Sequence, residues 1–187
     1  MQGVENIQNL VKTECETLGH VKDWFYKHHL LEVATLALGL KRYYHSEANE
    51  EVVMLSVWLH DIGRIRGLEG EHAKSGADEA RKILEEFGYN EDTIAQVHHC
   101  ILTHSCKEGN LPTSIEGKIL ATADASSHFS EDFYLRVLAT GTRTVEEFKL
   151  WALEKIERDY RDKLFFRIAK VTLKKNYEIL RKFFTMN

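Results

Sequence analysis

The sequence predicts an all-α fold, and three observations predict it. Apolar residues recur at helical spacing along almost the whole chain. No apolar–polar alternation lasts more than a few residues, and Pro112 is the single proline in 187 residues. This periodicity places helices over about residues 4–19, 21–45, 49–61, 72–87, 91–104, 114–130, 131–139 and 144–184, the last broken near Asp162. Gly88, Gly109 and Gly141 punctuate the gaps.

The N-terminal stretch "MQGVENIQNLVKTECETLGH" is polar and mixed in charge, unlike a signal or transit peptide. In "HHLLEVATLALGL", His29 shares a stripe with Val33, Leu36 and Leu40, whereas His28 falls with Glu32, Thr35 and Gly39. His29 is therefore expected to face inward and His28 outward. The next helix, in "VVMLSVWLHDIGRIRG", runs apolar and then sets His60 beside Asp61. An uncompensated buried polar group costs roughly 2–7 kcal/mol, and a charge more, so this dipeptide requires a partner. The segment 62–71, "IGRIRGLEGE", reads as a loop.

His72 opens the following helix, where the small Gly76 and Ala80 permit close packing. In "TIAQVHHCILTHS", His104 continues the stripe Ile94, Val97, Ile101, and His98 lies on the same side as Ile94 and Ile101. A second loop, "SCKEGNLPTS", spans 105–114. In "IEGKILATADASSHF", Asp124 follows Leu120 by one turn and His128 lies one turn further. Residues 145–187 hold 11 Lys/Arg against 7 Asp/Glu, while residues 1–144 hold 14 against 22. The basic C-terminal stretch reads as a solvated helix face.

A chain of this length and composition is expected to form one domain, 1–187, with a proper core. No apolar run approaches the length of a membrane span. Three cysteines without CxxC spacing read as free thiols in a reducing compartment, so a cytoplasmic location is expected. The net charge of −4 argues against nucleic acid as the main partner.

Each inward histidine alone is an ordinary hydrogen-bonded core residue. Four inward histidines and two inward aspartates on separate helices are hard to satisfy without a shared cation. A metal would neutralise Asp61 and occupy a nitrogen of His60.

In these residues the sequence resembles the HD-domain superfamily of metal-dependent phosphohydrolases, whose pattern is H…HD…H…H…D. The matching residues are His29, His60-Asp61, His72, His104 and Asp124, and the resemblance covers about residues 20–130. It implies that His29, His60, Asp61 and Asp124 hold one metal, and that His72 and His104, with Asp61 bridging, hold a second. Mixed imidazole and carboxylate ligands suit Mn, Fe, Co, Ni or Zn, with Mg as a further candidate. The implied reaction is attack of metal-activated water on a phosphate ester or anhydride of a small metabolite, nucleotides included. Asp61 is the expected catalytic pivot.

Arg64 and Arg66, directly after the dipeptide, and Lys118 at the rim are candidate phosphate clamps, Arg64 first among them. His98 and His128 are candidates for orienting the ligands from behind, and Glu69 and Glu71 for orienting water. The chain departs from the family where an arginine often stands three residues after the first histidine; here that residue is Glu32. It lacks the acid pair of alarmone hydrolases and the glycine-tyrosine-proline extension of cyclic-di-GMP hydrolases. Two other readings share the ligands: a di-iron oxygenase of the myo-inositol oxygenase type, and a non-catalytic ligand-sensing module. The oligomeric state stays open, a homodimer included.

Overall fold

The computed structural model describes residues 2–130 and 132–185. Every regular element among the described residues is a helix, and none is a strand. Helix α1 covers Gln2–Thr17; a π-helical turn, Tyr26–Leu30, leads into α2, Leu31–Tyr44. Then come α3 (Glu50–Leu59), a single turn α4 (Ile62–Ile65), α5 (His72–Glu86) and α6 (Glu91–Thr103). A 3₁₀ turn at Lys107–Gly109 precedes α7 (Ile115–Ser127), α8 (Phe133–Leu138) and α9 (Val145–Arg158). A second π-helical turn, Asp159–Lys163, closes α9, and α10 runs over Arg167–Thr185.

The expected helices are therefore present, with four refinements. The helix expected from residue 21 begins only at residue 24. The segment 62–71 opens with the short α4 rather than as a pure loop. The helix expected from 131 is described over Phe133–Leu138; Glu131 lies outside the described residues. The expected break near Asp162 falls just after it, where Leu164 leaves helical geometry at ψ 84°.

Side chains fix the helix starts. Asn49 accepts from the amides of Glu51 and Val52, Asn90 from Thr93, and Ser114 from Gly117. Thr144 and Glu147 form a reciprocal capping box. Each such cap stabilises its helix by about 1 kcal/mol.

Two apolar clusters organise the helices. The larger joins α1, α2, α3, α5, α6 and α7 around Ile7, Leu30, Val53, Leu84, Ile101 and Leu120. The smaller is aromatic and joins the end of α7 to α8, α9 and α10 through Phe129, Phe133, Tyr134, Phe148 and Phe184. Trp24 packs against both. The site lies between them, where α7 passes from one cluster to the other.

Glycine makes one approach possible. A Cβ on Gly63 of α4 would lie 3.0 Å from the Gly76 amide nitrogen, and one on Gly76 would lie 3.3 Å from the His60 carbonyl. With no side chains between them, α5 lies directly on the turn after His60-Asp61. His72, one turn before Gly76, is thereby brought beside Asp61. No helix among the described residues is long and apolar enough to cross a membrane.

Candidate metal centre

Five elements converge on one buried cluster. Asp61 follows α3 and Asp124 rides on α7. His60 and His104 sit just past the last turns of α3 and α6. There each ring Nδ1–H donates to the carbonyl three residues back: His60 to Val57 (2.8 Å) and His104 to Ile101 (2.6 Å). That bond leaves each Nε2 as a bare lone pair. His60 Nε2 is fully buried and has no hydrogen-bond partner.

His29 reaches the same state by another route. It lies in the first π-helical turn, a geometry that recurs at functional positions. The Ser127 hydroxyl gives its proton to the Asp124 carbonyl (2.8 Å) and so accepts from His29 Nδ1 at 3.2 Å. His29 Nε2 then points its lone pair at Asp61 Oδ2 and Asp124 Oδ1, both 3.6 Å away. His60 Nε2 faces the same two oxygens at 3.6 and 3.7 Å. His28 is exposed, as the helix phase requires.

Acceptor thus faces acceptor across the cluster. Burial pushes His29 and His72 down to about 4, and His104 well below the ordinary histidine value, so these imidazoles are neutral near pH 7. Burial also opposes ionisation of Asp61 and Asp124. It is outweighed by Arg64 at Asp61 and by Lys163 at Asp124, which hold both carboxyls well below the usual range. Neutral imidazoles with ionised carboxylates are the protonation states a divalent cation needs. A cation between them turns lone-pair repulsion into coordination, so the residues present fit a metal.

The donor atoms form three overlapping groups, each within 4.8 Å: His29, His60 and Asp61; His29, Asp124 and His128; Asp61, His72 and His104. Asp61 is common to the first and third. All six residues of the expected ligand set are therefore brought together. His128 joins them: its Nε2 lies 3.3 Å from Asp124 Oδ1, and its ring stacks on His29 at 5.5 Å.

Other candidates are placed elsewhere. Arg66 does not line the cavity: its guanidinium is held by Glu14 (2.8 Å) and Glu79 (2.5 Å), bracing α4 against α1 and α5. Lys118 is not at the rim; it does not line the cavity above the cluster, because it sits nearly two turns back on α7. His98 does not support the ligands, since its ring pairs with Asp78 at 3.2 Å. Glu71 caps α5 by accepting from the amides of Ala73 and Lys74, and Glu69 is exposed off the cavity. Arg64 does line the cavity, with Nε 3.2 Å from Asp61 Oδ1 and a half-exposed side chain.

Sequence reasoning missed the support behind Asp124. Buried Lys163 pairs with Asp124 Oδ2, which leaves Oδ1 for the cluster. Asp159, also buried, accepts from His128 Nδ1 (2.8 Å) and pairs with Lys155 (3.1 Å). A signal for both existed: Phe148, Ala152, Ile156, Asp159 and Lys163 form one buried stripe at helical spacing. Two charges continuing an apolar stripe predict a buried ion-pair network. The cysteines contribute no nucleophile, as burial lifts Cys15 to about 12 and Cys100 and Cys106 to about 11.

The cavity over the cluster has a volume of about 450 Å³. Its floor is the cluster, and Trp24, Phe25, Phe133 and Trp151 lie on its walls.

No curated protein sequence is significantly similar to the chain. Two crystal structures share its fold. A predicted HD superfamily hydrolase from an uncultured Thermotogales bacterium is 22% identical, with a TM-score of 0.63 over 96% of this chain and 87% of that one. An HD-superfamily hydrolase from Bacillus thuringiensis is 19% identical, with a TM-score of 0.66 over 97% of this chain and 93% of that one. The HD-domain family model matches residues 26–127, which is more than half of the chain and carries His29, His60-Asp61, His72, His104 and Asp124. With the family pattern and the buried cluster resting on the same six residues, the chain belongs to the HD-domain family.

Proposed function

We propose that the protein is a metal-dependent phosphohydrolase that cleaves a phosphate ester or anhydride of a small metabolite. The observation that carries this reading is the convergence of imidazole nitrogens, that of His60 without a hydrogen-bond partner, and ionised carboxylates beneath a cavity that also presents Arg64. In this reading His29, His60, Asp61 and Asp124 hold one ion, and His72 and His104 with Asp61 a second. Mn, Fe, Co, Ni or Zn suit that donor set. Such an ion, when bound, lowers the pKa of its water towards ~7 and draws charge from phosphoryl oxygens.

The chain's own residues do the rest. Arg64 binds a phosphoryl oxygen by a charge-assisted contact and offsets charge that builds there. Lys163 fixes Asp124 through Oδ2, and the His128–Asp159 pair fixes it from the other side. Ser127 holds the His29 ring in the tautomer that leaves Nε2 free. The aromatic walls keep bulk water from the phosphoryl group.

The test is metal analysis of freshly purified protein, followed by a phosphate-release screen with each metal. Metal-dependent release of phosphate, abolished by chelation, is expected. Iron-dependent oxygen uptake without phosphate release would overturn this reading in favour of the oxygenase one.

A further inference from the structure

Helix α10 concentrates positive charge in a chain whose net charge is −4. Its 19 residues hold six Lys/Arg and a single acid, Glu178. Leu173, Tyr177 and Leu180 pack its inner face on the aromatic cluster. The outer face is not the solvated polar face expected of a basic stretch. Ile168, Val171, Lys175, Ile179 and Phe183 follow one another at spacings of three or four residues, with Lys182 beside the last, and all six are exposed. The ion pairs of this helix are Lys174 with Glu178 and Arg181 with Glu157; among the described residues Lys175 and Lys182 have none.

Beside this stripe α10, α2 and the end of α7 frame an apolar groove of about 420 Å³, whose walls include Leu36, Leu40, Phe129, Ile168 and Leu173. Gly39 lies on the α2 wall, where an added Cβ would meet nothing within 4 Å. Tyr43 and Tyr44 also line the groove and are 82% and 55% exposed.

The chemistry of this face selects its occupant. Exposed apolar side chains interleaved with unpaired lysines complement a surface that is anionic outside and apolar just beneath. Tyrosines, with an apolar ring and a polar tip, suit the boundary between two such layers. Residues 1–144 hold 14 Lys/Arg against 22 Asp/Glu, so an anionic surface attracts α10 and repels the body, which sets the orientation. A second copy docked face to face would instead bring two sets of unpaired lysines together.

We propose that the outer face of α10, with the adjoining groove, docks on an anionic phospholipid bilayer. The helix lies in the plane of the interface, with Lys175 and Lys182 on lipid phosphates and Ile179 and Phe183 at the acyl boundary. The groove seats part of an acyl chain along Gly39. It shares no lining residue with the cavity over the metal centre, so the docking holds whatever reaction that centre performs.

The test is co-sedimentation of the full chain with sucrose-loaded vesicles of phosphatidylcholine, alone or in a roughly 2:1 mixture with phosphatidylglycerol. Binding to the mixed vesicles is expected to be at least about tenfold tighter than to the neutral ones, and to weaken as salt rises. Lys175→Gln with Lys182→Gln should weaken it about 30-fold, since each lysine at an anionic surface contributes about fivefold. Ile179→Ser with Phe183→Ser should weaken it at least about tenfold, and Gly39→Leu, which fills the groove, about threefold. The four replaced side chains are exposed and Gly39→Leu enters open space, so every variant should unfold at the wild-type temperature. No binding by the wild type, equal binding to neutral vesicles, or binding unmoved by either pair of substitutions would overturn the proposal. So would a lipid-free dimer that Ile179→Ser with Phe183→Ser turns into monomer, because the face would then belong to a second copy.

Discussion

His60 and His104 are turned into the cluster by their own helices, each through a carbonyl three residues back, whereas His29 and His128 are turned by residues far along the chain. Ser127 is 98 residues from His29, and Asp159 is 31 from His128. The first pair is a local device: a helix that ends on a histidine, with the ring folded back on its last turn. The second exists only after α7, α9 and the turn after α9 have packed. One wall of the site is therefore set by secondary structure and the other by tertiary structure, and the two should fail differently.

Asp61 belongs to both walls, so its loss is the largest effect expected. Asp61→Ala should empty both metal positions and abolish activity, whereas His104→Ala should remove one equivalent at saturating metal. If wild-type protein saturates at one equivalent, and His104→Ala keeps full activity, the two-ion arrangement is wrong. Within the second wall, His29→Ala should abolish binding at the first position while exposed His28→Ala leaves it intact; calorimetric metal titration of the two variants reads this directly.

The tertiary wall has its own weak point. Asp159→Asn leaves Lys155 without its buried carboxylate, and breaking such a pair costs about 3–5 kcal/mol. It should also loosen His128 and lower metal affinity about 10- to 100-fold at the His29–Asp124 side. Thermal unfolding with and without metal separates the two effects. Unchanged affinity would mean that Asp159 serves folding alone.

Acidity reaches both walls. His29 and His72 are held near 4, below the ordinary histidine value of about 6.5. Between those values the unfolded chain takes up protons that the folded chain refuses. Stability of chelator-treated protein should therefore fall as pH drops from about 6.5 to about 4, by up to about 3 kcal/mol for each histidine. Denaturant titrations across that range check it, and His72→Gln should make the fall shallower.

The smallest effect belongs to Arg64, which stands at the edge of the local wall. Arg64→Ala should reduce kcat/KM about 10- to 100-fold, the equivalent of roughly 1.5–3 kcal/mol for a charge-assisted contact, with metal content unchanged. An unchanged kcat/KM would return it to the role of partner for Asp61.

The same division explains what the sequence made legible. The helices and the six convergent residues follow from periodicity, because each side chain's direction is set by the phase of its own helix. His29, His104 and Asp124 follow in this way, and His60 from the polar end of an otherwise apolar helix. Arg66, Lys118 and His98 were misplaced because phase says nothing about which neighbour a long or surface side chain meets; Glu14, Glu79 and Asp78 decided the matter for two of them. Lys163 and Asp159 were overlooked because their work is done 39 and 31 residues away, at Asp124 and His128.

The π-helical turn at Tyr26–Leu30 carries a last consequence. Such a turn contains one residue more than the α-helix would use, and each residue accounts for about 100° of rotation. Deleting a single residue there, exposed Lys27 for instance, would relax the turn to ordinary α geometry and leave His29 and everything after it in place. Trp24 and Phe25, upstream, would swing by a quarter-turn or more off the cavity wall. A change of one codon would thus separate the ring-lined mouth from an intact metal floor, and a relative of this chain differing by that one residue would be expected to accept a different range of substrates.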